Sequence, residues 1–198
     1  MTDALRPDLA VIARQIVPGV RILDVGCGDG RLMAALRDEK GVDARGIEID
    51  GSCVERCVAQ GLAVVQGDAD RDLTFYPDGA FDHAILSQTL QTAERPDRML
   101  RELLRVGRSA FVSFPNFAYW RMRWALMRQG RMPVTRHLPV TWYETQNIHH
   151  VTIRDFEALT NDLDMRIARR WFFTQEREVS AIGANWRAEY ALFEVTKG

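Results

Sequence analysis

Apolar residues along this chain fall into short continuous runs, separated by stretches in which they recur every three or four positions. Val20-Arg21-Ile22-Leu23-Asp24-Val25 is one such run, closed by Gly26-Cys27-Gly28-Asp29-Gly30. A β-branched run stopped by glycines predicts a buried strand. Leu32 and Leu36, with alanines between them, then resume at helical spacing to about Glu39. The alternation repeats, with strands predicted over 44–49, 62–66, 81–87 and 109–114 and helices over 52–60 and 96–105. A short leading helix is predicted over 8–17, ended by Pro18-Gly19. Strand alternating with helix at this spacing predicts an α/β domain, a parallel sheet with helices on both faces.

After Pro115 the rhythm changes. Residues 116–128 predict a helix rich in aromatics and arginine. Residues 129–151 hold Gly130, Pro133 and Pro139 and no clear periodicity, which predicts a long loop or cap over about 116–150. A helix returns over 152–163. Two β-rich stretches, 165–174 and 188–196, are expected to pair antiparallel. Nothing in the composition divides the chain, so residues 1–198 are expected to form a single domain.

The 198 residues are 46% hydrophobic and 27% charged, enough to build and cover one core without a disulfide or metal. The net charge of −1 argues against a general nucleic-acid binder. No apolar run approaches the ~18 residues of a membrane span. Cys27, Cys53 and Cys57 form no paired framework, which is the usage expected of a reduced, cytoplasmic protein. Cys53 and Cys57 share a helix face and are expected to be small buried apolar residues. His83 is expected as a packed residue of its strand, and the remaining histidines are too few to predict a metal site.

The glycine turn lies between a predicted strand and a predicted helix, where missing Cβ atoms let a ligand approach backbone amides. Its Gly26-x-Gly28-x-Gly30 spacing is tighter than the dinucleotide fingerprint, and no Gly-Lys-Ser/Thr follows, which excludes a P-loop. Glu48, at the end of the second strand, lies 24 positions after Asp24, near the ~20-residue separation at which an acid reaches a ribose in doubly wound folds. Asp68 again follows a strand, where its carboxylate can accept from an adenine amino group. Each acid alone is as readily a helix cap. Three at strand carboxyl ends converge on the crevice where open α/β sheets bind ligands.

Leu23-Asp24-Val25-Gly26-Cys27-Gly28-Asp29-Gly30, with Glu48 and Asp68, resembles the S-adenosylmethionine site of class I methyltransferases. That resemblance implies a Rossmann-like seven-stranded sheet, mostly parallel with its last strand antiparallel, and S-adenosylmethionine or S-adenosylhomocysteine as ligand. The candidate binding residues it implies are Asp24, Gly26, Cys27, Gly28, Gly30, Glu48, Ile49, Asp68, Ala69, Ser87 and Gln88. A nicotinamide-type Rossmann domain fits the glycine spacing less well and lacks a second domain. After the fourth strand, Leu86-Ser87-Gln88-Thr89-Leu90-Gln91 contains neither an Asp/Asn-Pro-Pro-Tyr/Phe nor a Pro-Cys motif, so base methylation is not expected. It offers no general base near neutral pH; methyl transfer by in-line displacement can proceed on alignment and desolvation.

Between Asn116 and His150 five arginines stand against one acid, Glu144, among many aromatics. Aromatic, Met and Arg are the types that dominate interface hot spots. The same segment narrows the resemblance. Ser113-Phe114-Pro115-Asn116-Phe117, Trp120-Arg121, Gly130-Arg131-Met132-Pro133-Val134-Thr135, Trp142-Tyr143 and Asn147-Ile148-His149 are similar to the signature of the methionine biosynthesis protein MetW family. Arg105-Val106-Gly107-Arg108 fits as well. Gln146 departs from it, standing where the family form has proline. The resemblance implies a protein partner, homoserine O-acyltransferase, and a regulatory or non-catalytic role beside it, with residues 114–150 as the contact. An active methyltransferase on a small-molecule or protein acceptor is the alternative.

Overall fold

The structure is a computed structural model describing residues 5–132, 134, 141, 144–146, 148–175 and 177–198. Helix α1 (Pro7–Gln15) precedes β1 (Arg21–Val25), α2 (Arg31–Lys40), β2 (Asp43–Glu48), α3 (Gly51–Ala59) and β3 (Ala63–Gln66). A short α4 (Ala69–Asp72) leads to β4 (Phe81–Ser87), α5 (Pro96–Val106), β5 (Gly107–Pro115) and α6 (Trp120–Gln129). The chain ends with α7 (Ile153–Asp162), β6 (Met165–Thr174), β7 (Arg177–Val179), α8 (Ala184–Arg187) and β8 (Tyr190–Lys197).

One eight-stranded sheet runs β3-β2-β1-β4-β5-β8-β6-β7. Strands β1 to β5 are mutually parallel, and β8 pairs antiparallel with both β5 and β6. The expected antiparallel pairing of the two C-terminal stretches is therefore present. The seven-strand expectation is corrected to eight: β7 adds three residues antiparallel to the outer edge of β6. The chain reverses its strand order between β1 and β4, which creates the crevice at their carboxyl ends.

Side-chain alternation assigns the two faces. Ile22, Ile85, Phe111 and Leu192 pack with Val11, Ile12 and Ile16 of α1 and Leu32 and Leu36 of α2. Leu23, Val25, Leu86, Val112 and Phe193 face the opposite layer, built from α5 and α7. Helix α5 buries Met99, Leu100, Leu103 and Leu104, and each such side chain contributes roughly 1.5–3 kcal/mol. Phe114 stacks on Phe193 behind them, and Phe156 packs tilted against both rings.

Local chemistry sets the helix ends. Pro7 and Pro96 open α1 and α5, where a missing N–H costs nothing. Asp50 caps α3 by accepting from Ser52 N and Cys53 N, and Thr152 with Asp155 forms a capping box on α7. The helix expected from residue 116 begins at Trp120. Buried Asn116 explains the delay: its Oδ1 accepts from Ala118 N, and its Nδ2 donates to Asn185 O and Ala188 O. Part of the expected 116–150 cap, namely 133, 135–140, 142, 143 and 147, lies outside the described residues.

Candidate functional site at the sheet's switch point

The alternation that buries Ile22, Ile85 and Phe111 toward α1 also turns Asp24, Ser87 and Ser113 to that side, at the carboxyl ends of β1, β4 and β5. There they meet the first turn of α1. Asp8, fully buried, accepts from Ser87 Oγ at 2.9 Å and Ser113 Oγ at 2.8 Å. Arg6 donates to both Asp8 carboxylate oxygens at 3.2 Å through Nε and Nη2, and Nη2 also donates to Ser87 Oγ at 2.6 Å. A cavity of about 250 Å³ opens beside this network, walled by Arg6, Asp24, Gly26, Cys27, Gly28 and Ser87, with Asp29 and Arg31 at its rim.

The glycine turn is held from below and above. Gly26 N donates to Ile47 O at 2.8 Å. Gly26 adopts φ +71°, and a Cβ there would lie 2.6 Å from Thr89 Oγ1, so the residue type is dictated twice over. Glu48, almost completely buried, accepts from Gly28 N at 2.7 Å through Oε2 and from Asp50 N at 3.0 Å through Oε1. These are charge-assisted bonds. Each carboxylate oxygen retains a second lone pair for a ligand hydroxyl.

Gln88 closes β4 in a left-handed conformation, φ +57°, a geometry that costs a non-glycine residue roughly 1–2 kcal/mol. It is held by Gln88 N donating to Ser113 O at 2.9 Å and by Gln91 Nε2 donating to Gln88 O at 2.6 Å. Strain of this kind, fixed by surrounding bonds, clusters at binding sites.

Electrostatics single out Asp24. Burial pushes its carboxyl up to about 7, the Arg6 guanidinium opposes this, and the neighbouring Glu48 charge adds to it. An acid so destabilised in its ionised form is an acceptor for a cationic ligand group. Burial likewise pushes the Cys27 thiol up, which keeps it protonated and inert. Among the described residues no three His, Cys, Asp or Glu are grouped to hold a metal ion.

The structure gathers Asp24, Gly26, Cys27, Gly28 and Ser87 on one wall, with Glu48 tied to it through Gly28. Gly30 is the N-cap of α2, and its missing Cβ makes room for Cys57 and Leu62. Ile49 is exposed, and Gln88 stands behind Ser87. Asp68 Oδ1 accepts from Asp70 N as the cap of α4, its other oxygen lies 3.6 Å from Arg71, and Ala69 is the helix's first residue. Asp68 thus caps a helix, as Asp50 does. His83 packs half-buried against Phe111, 2.8 Å from Ser109 Oγ. Cys57 is buried, whereas Cys53 is only half-buried, with Arg56 Nη2 2.9 Å from its sulfur.

Sequence reasoning missed Arg6, Asp8 and Ser113. Their contacts span 79 to 105 positions, and the one local signal was a charged pair flanking the helix-opening Pro7.

On the far side of the sheet end, Trp120, Arg123, Trp124 and Met127 of α6 and Trp186 of α8 line a second, shallow apolar cleft of about 510 Å³. Arg123 lies over the Trp186 ring at 5.3 Å. Trp124 is about half exposed and Met127 more so.

Comparison with known proteins places this geometry in context. The crystal structure of an S-adenosylmethionine-dependent methyltransferase from Mesorhizobium loti superposes with a TM-score of 0.71 over the whole of both chains, at 19% identity. A SAM-dependent methyltransferase from Archaeoglobus fulgidus gives 0.70 over 96% of this chain and 92% of that one, at 18% identity. At these identities the likeness is one of fold, the class I methyltransferase fold. In sequence, the chain is 34% identical over 169 residues to the bifunctional methionine biosynthesis protein MetXA/MetW of Rhodopirellula baltica, covering 80% of this chain but only 27% of that relative. A family model described as methionine biosynthesis protein MetW matches residues 6–195.

Proposed function

The chain belongs to the methionine biosynthesis protein MetW family, and we propose on that premise that it binds S-adenosylmethionine or S-adenosylhomocysteine and acts as a partner of homoserine O-acyltransferase. The observation that carries the ligand reading is the Glu48 carboxylate bonded to the glycine turn at the sheet's switch point. A carboxylate there accepts from ribose hydroxyls, and the turn Gly26 to Gly28, its amides held by Ile47 O and Glu48, offers a surface without Cβ atoms at its glycines to the ligand's amino-acid end. The partner reading is supported by a relative whose name joins MetXA and MetW in one chain, together with the resemblance of residues 113–149. The face offered to the enzyme is the α6–α8 cleft, where aromatic and arginine side chains stand exposed. A ligand that binds the free and complexed chain with different affinity shifts the assembly by that difference.

The test is the rate of homoserine acylation by the cognate enzyme with and without this chain, titrated with S-adenosylmethionine. Dependence on both the chain and the ligand is expected. No effect of the chain overturns the partner reading, and an effect of the chain that ignores the ligand overturns the sensing role. A second reading, methyl transfer to an acceptor entering beside β4, is favoured by the intact glycine turn and Glu48. Glu48→Ala separates the two. Ligand binding should fall in either case, but only the sensing role predicts a matching change in acyltransferase response.

A further inference from the structure

A chain of polar contacts runs from the glycine turn to the arginine–aromatic face, and it passes through one side chain, Gln91. We propose that Gln91 couples the two: a ligand in the crevice tightens the turn after β4, and Gln91 carries that change to residues 148–151 and onward to the α6–α8 cleft. This rests on the reading that the crevice takes an adenosyl ligand, and not on the partner reading. It goes further by naming the residue through which occupancy of the crevice is felt on the opposite face.

The links can be followed one at a time. Gly26, lacking a Cβ, lets Thr89 pack against the glycine turn, and Thr89 Oγ1 donates to Ser87 O at 3.1 Å. The next link, Gln88, is left-handed at φ +57° and is pinned to β5 by its N–H, which donates to Ser113 O at 2.9 Å. Gln91, only 5% exposed, donates from Nε2 to Gln88 O at 2.6 Å. Its own backbone oxygen accepts from Ile148 N at 2.9 Å and from His149 N at 3.0 Å. Beyond them, Phe117 N donates to Val151 O at 3.0 Å, just ahead of α6. Ile153 N donates to Asn116 Oδ1, and Asn116 Nδ2 fastens Asn185 O and Ala188 O around Trp186. The cavity wall is thereby joined to both walls of the cleft.

Two features keep this junction from being a fixed strut. Gln91 Oε1 and His149 Nε2 are both buried without a hydrogen-bond partner, and Gln88 holds a conformation that disfavours any residue but glycine. Unpaired buried groups and backbone strain favour release, whereas the three hydrogen bonds made by Gln91 favour closure. Segments balanced in this way open locally, and coupling between distant sites needs such a two-state element. A ligand that fits the closed turn better than the open one shifts the balance by that difference in affinity.

The test is amide hydrogen exchange on the full chain, free and saturated with S-adenosylmethionine. In the wild type the ligand should slow exchange at Ile148, His149 and Phe117 by ~5–150-fold, the ordinary span of coupling between sites. Core amides such as Val112 should slow as well, which reports that the ligand is bound. Gln91→Met keeps the length of the side chain but cannot donate to Gln88 O. It should retain the ligand-induced slowing at Val112 and lose it at Ile148 and His149. Gln91→Asn, polar but one methylene too short, should behave in the same way. Thr152→Ala, which loosens α7 beside the same segment, is the control and should keep the full response. Slowing at Val112 without slowing at Ile148 and His149 in the wild type overturns the proposal and leaves the adenosyl-ligand reading intact. A full response in either Gln91 variant overturns it equally. No slowing at any amide of the wild type overturns the ligand reading and the coupling together.

Discussion

Replacing Asp24 by asparagine should make the unliganded protein more stable, and increasingly so as pH rises. The carboxyl is moved from its ordinary 3.8 to about 7, chiefly by burial. Between those values the unfolded chain has released its proton while the folded chain retains it, so stability is lost as pH increases. The full loss, reached above pH 7, is about 4 kcal/mol at 1.36 kcal/mol per pKa unit. Asparagine has no such proton. The advantage of Asp24→Asn over wild type should therefore grow by about 3 kcal/mol between pH 5 and pH 8. Taking the difference between the two proteins cancels the titration of every other group. Urea unfolding at the two pH values measures it directly, and in thermal melts the same change corresponds to roughly 6–12 °C for a chain of this size. A stability gap that stays constant from pH 5 to pH 8 would refute the reasoning, because Asp24 would then be ionised as easily as a surface carboxylate. Saturation with a cationic ligand should narrow the gap at pH 8, since the ligand stabilises the ionised form that only the wild type possesses.

Other consequences are as specific. Gly26→Ala would place a Cβ 2.6 Å from Thr89 Oγ1 at a φ of +71°; about 2–3 kcal/mol of destabilisation is expected, visible as a lowered urea midpoint with weaker ligand binding. Asn116→Ala removes a side chain that serves Ala118 N, Ile153 N, Asn185 O and Ala188 O, and should cost about 3 kcal/mol; hydrogen exchange should rise first at Ala118 and Ile153. Thr152→Ala breaks the capping box of α7 and should cost about 1 kcal/mol, read as a shift in melting temperature with ligand affinity unchanged.

The centre of the parallel sheet was readable because β1 and β5 are buried on both faces and β4 along its second half, so that Ile22 to Val25 and Ala84 to Leu86 announce themselves as apolar runs. Glu48 stood out in sequence as a charged residue ending an apolar run, and the structure buries it with its carboxylate bonded to the glycine turn. Asp68 looked alike in sequence, and in the structure one of its carboxylate oxygens caps its own helix, a bond that the local pattern also allowed. The polar network of Arg6, Asp8, Ser87 and Ser113 was out of reach, because a serine at the end of a strand gives no sign of which distant side chain it will meet. β7 was missed because three residues are too few to show a period of two.

The clasp between α1 and the strand ends also fixes where the polypeptide leaves the domain. Arg6 sits at the carboxyl edge of the parallel strands, whereas antiparallel β8 carries the chain away, with Thr196 opposite Ser109 near the start of β5. The two ends thus depart from opposite edges of the sheet. A tag or fusion joined ahead of residue 6 is tethered beside the Arg6 guanidinium and the cavity it lines, while one joined after Gly198 leaves from the far edge. Affinity handles and fluorescent reporters therefore belong at the C-terminus when ligand binding is measured, and an N-terminal attachment becomes a direct mechanical probe of the site.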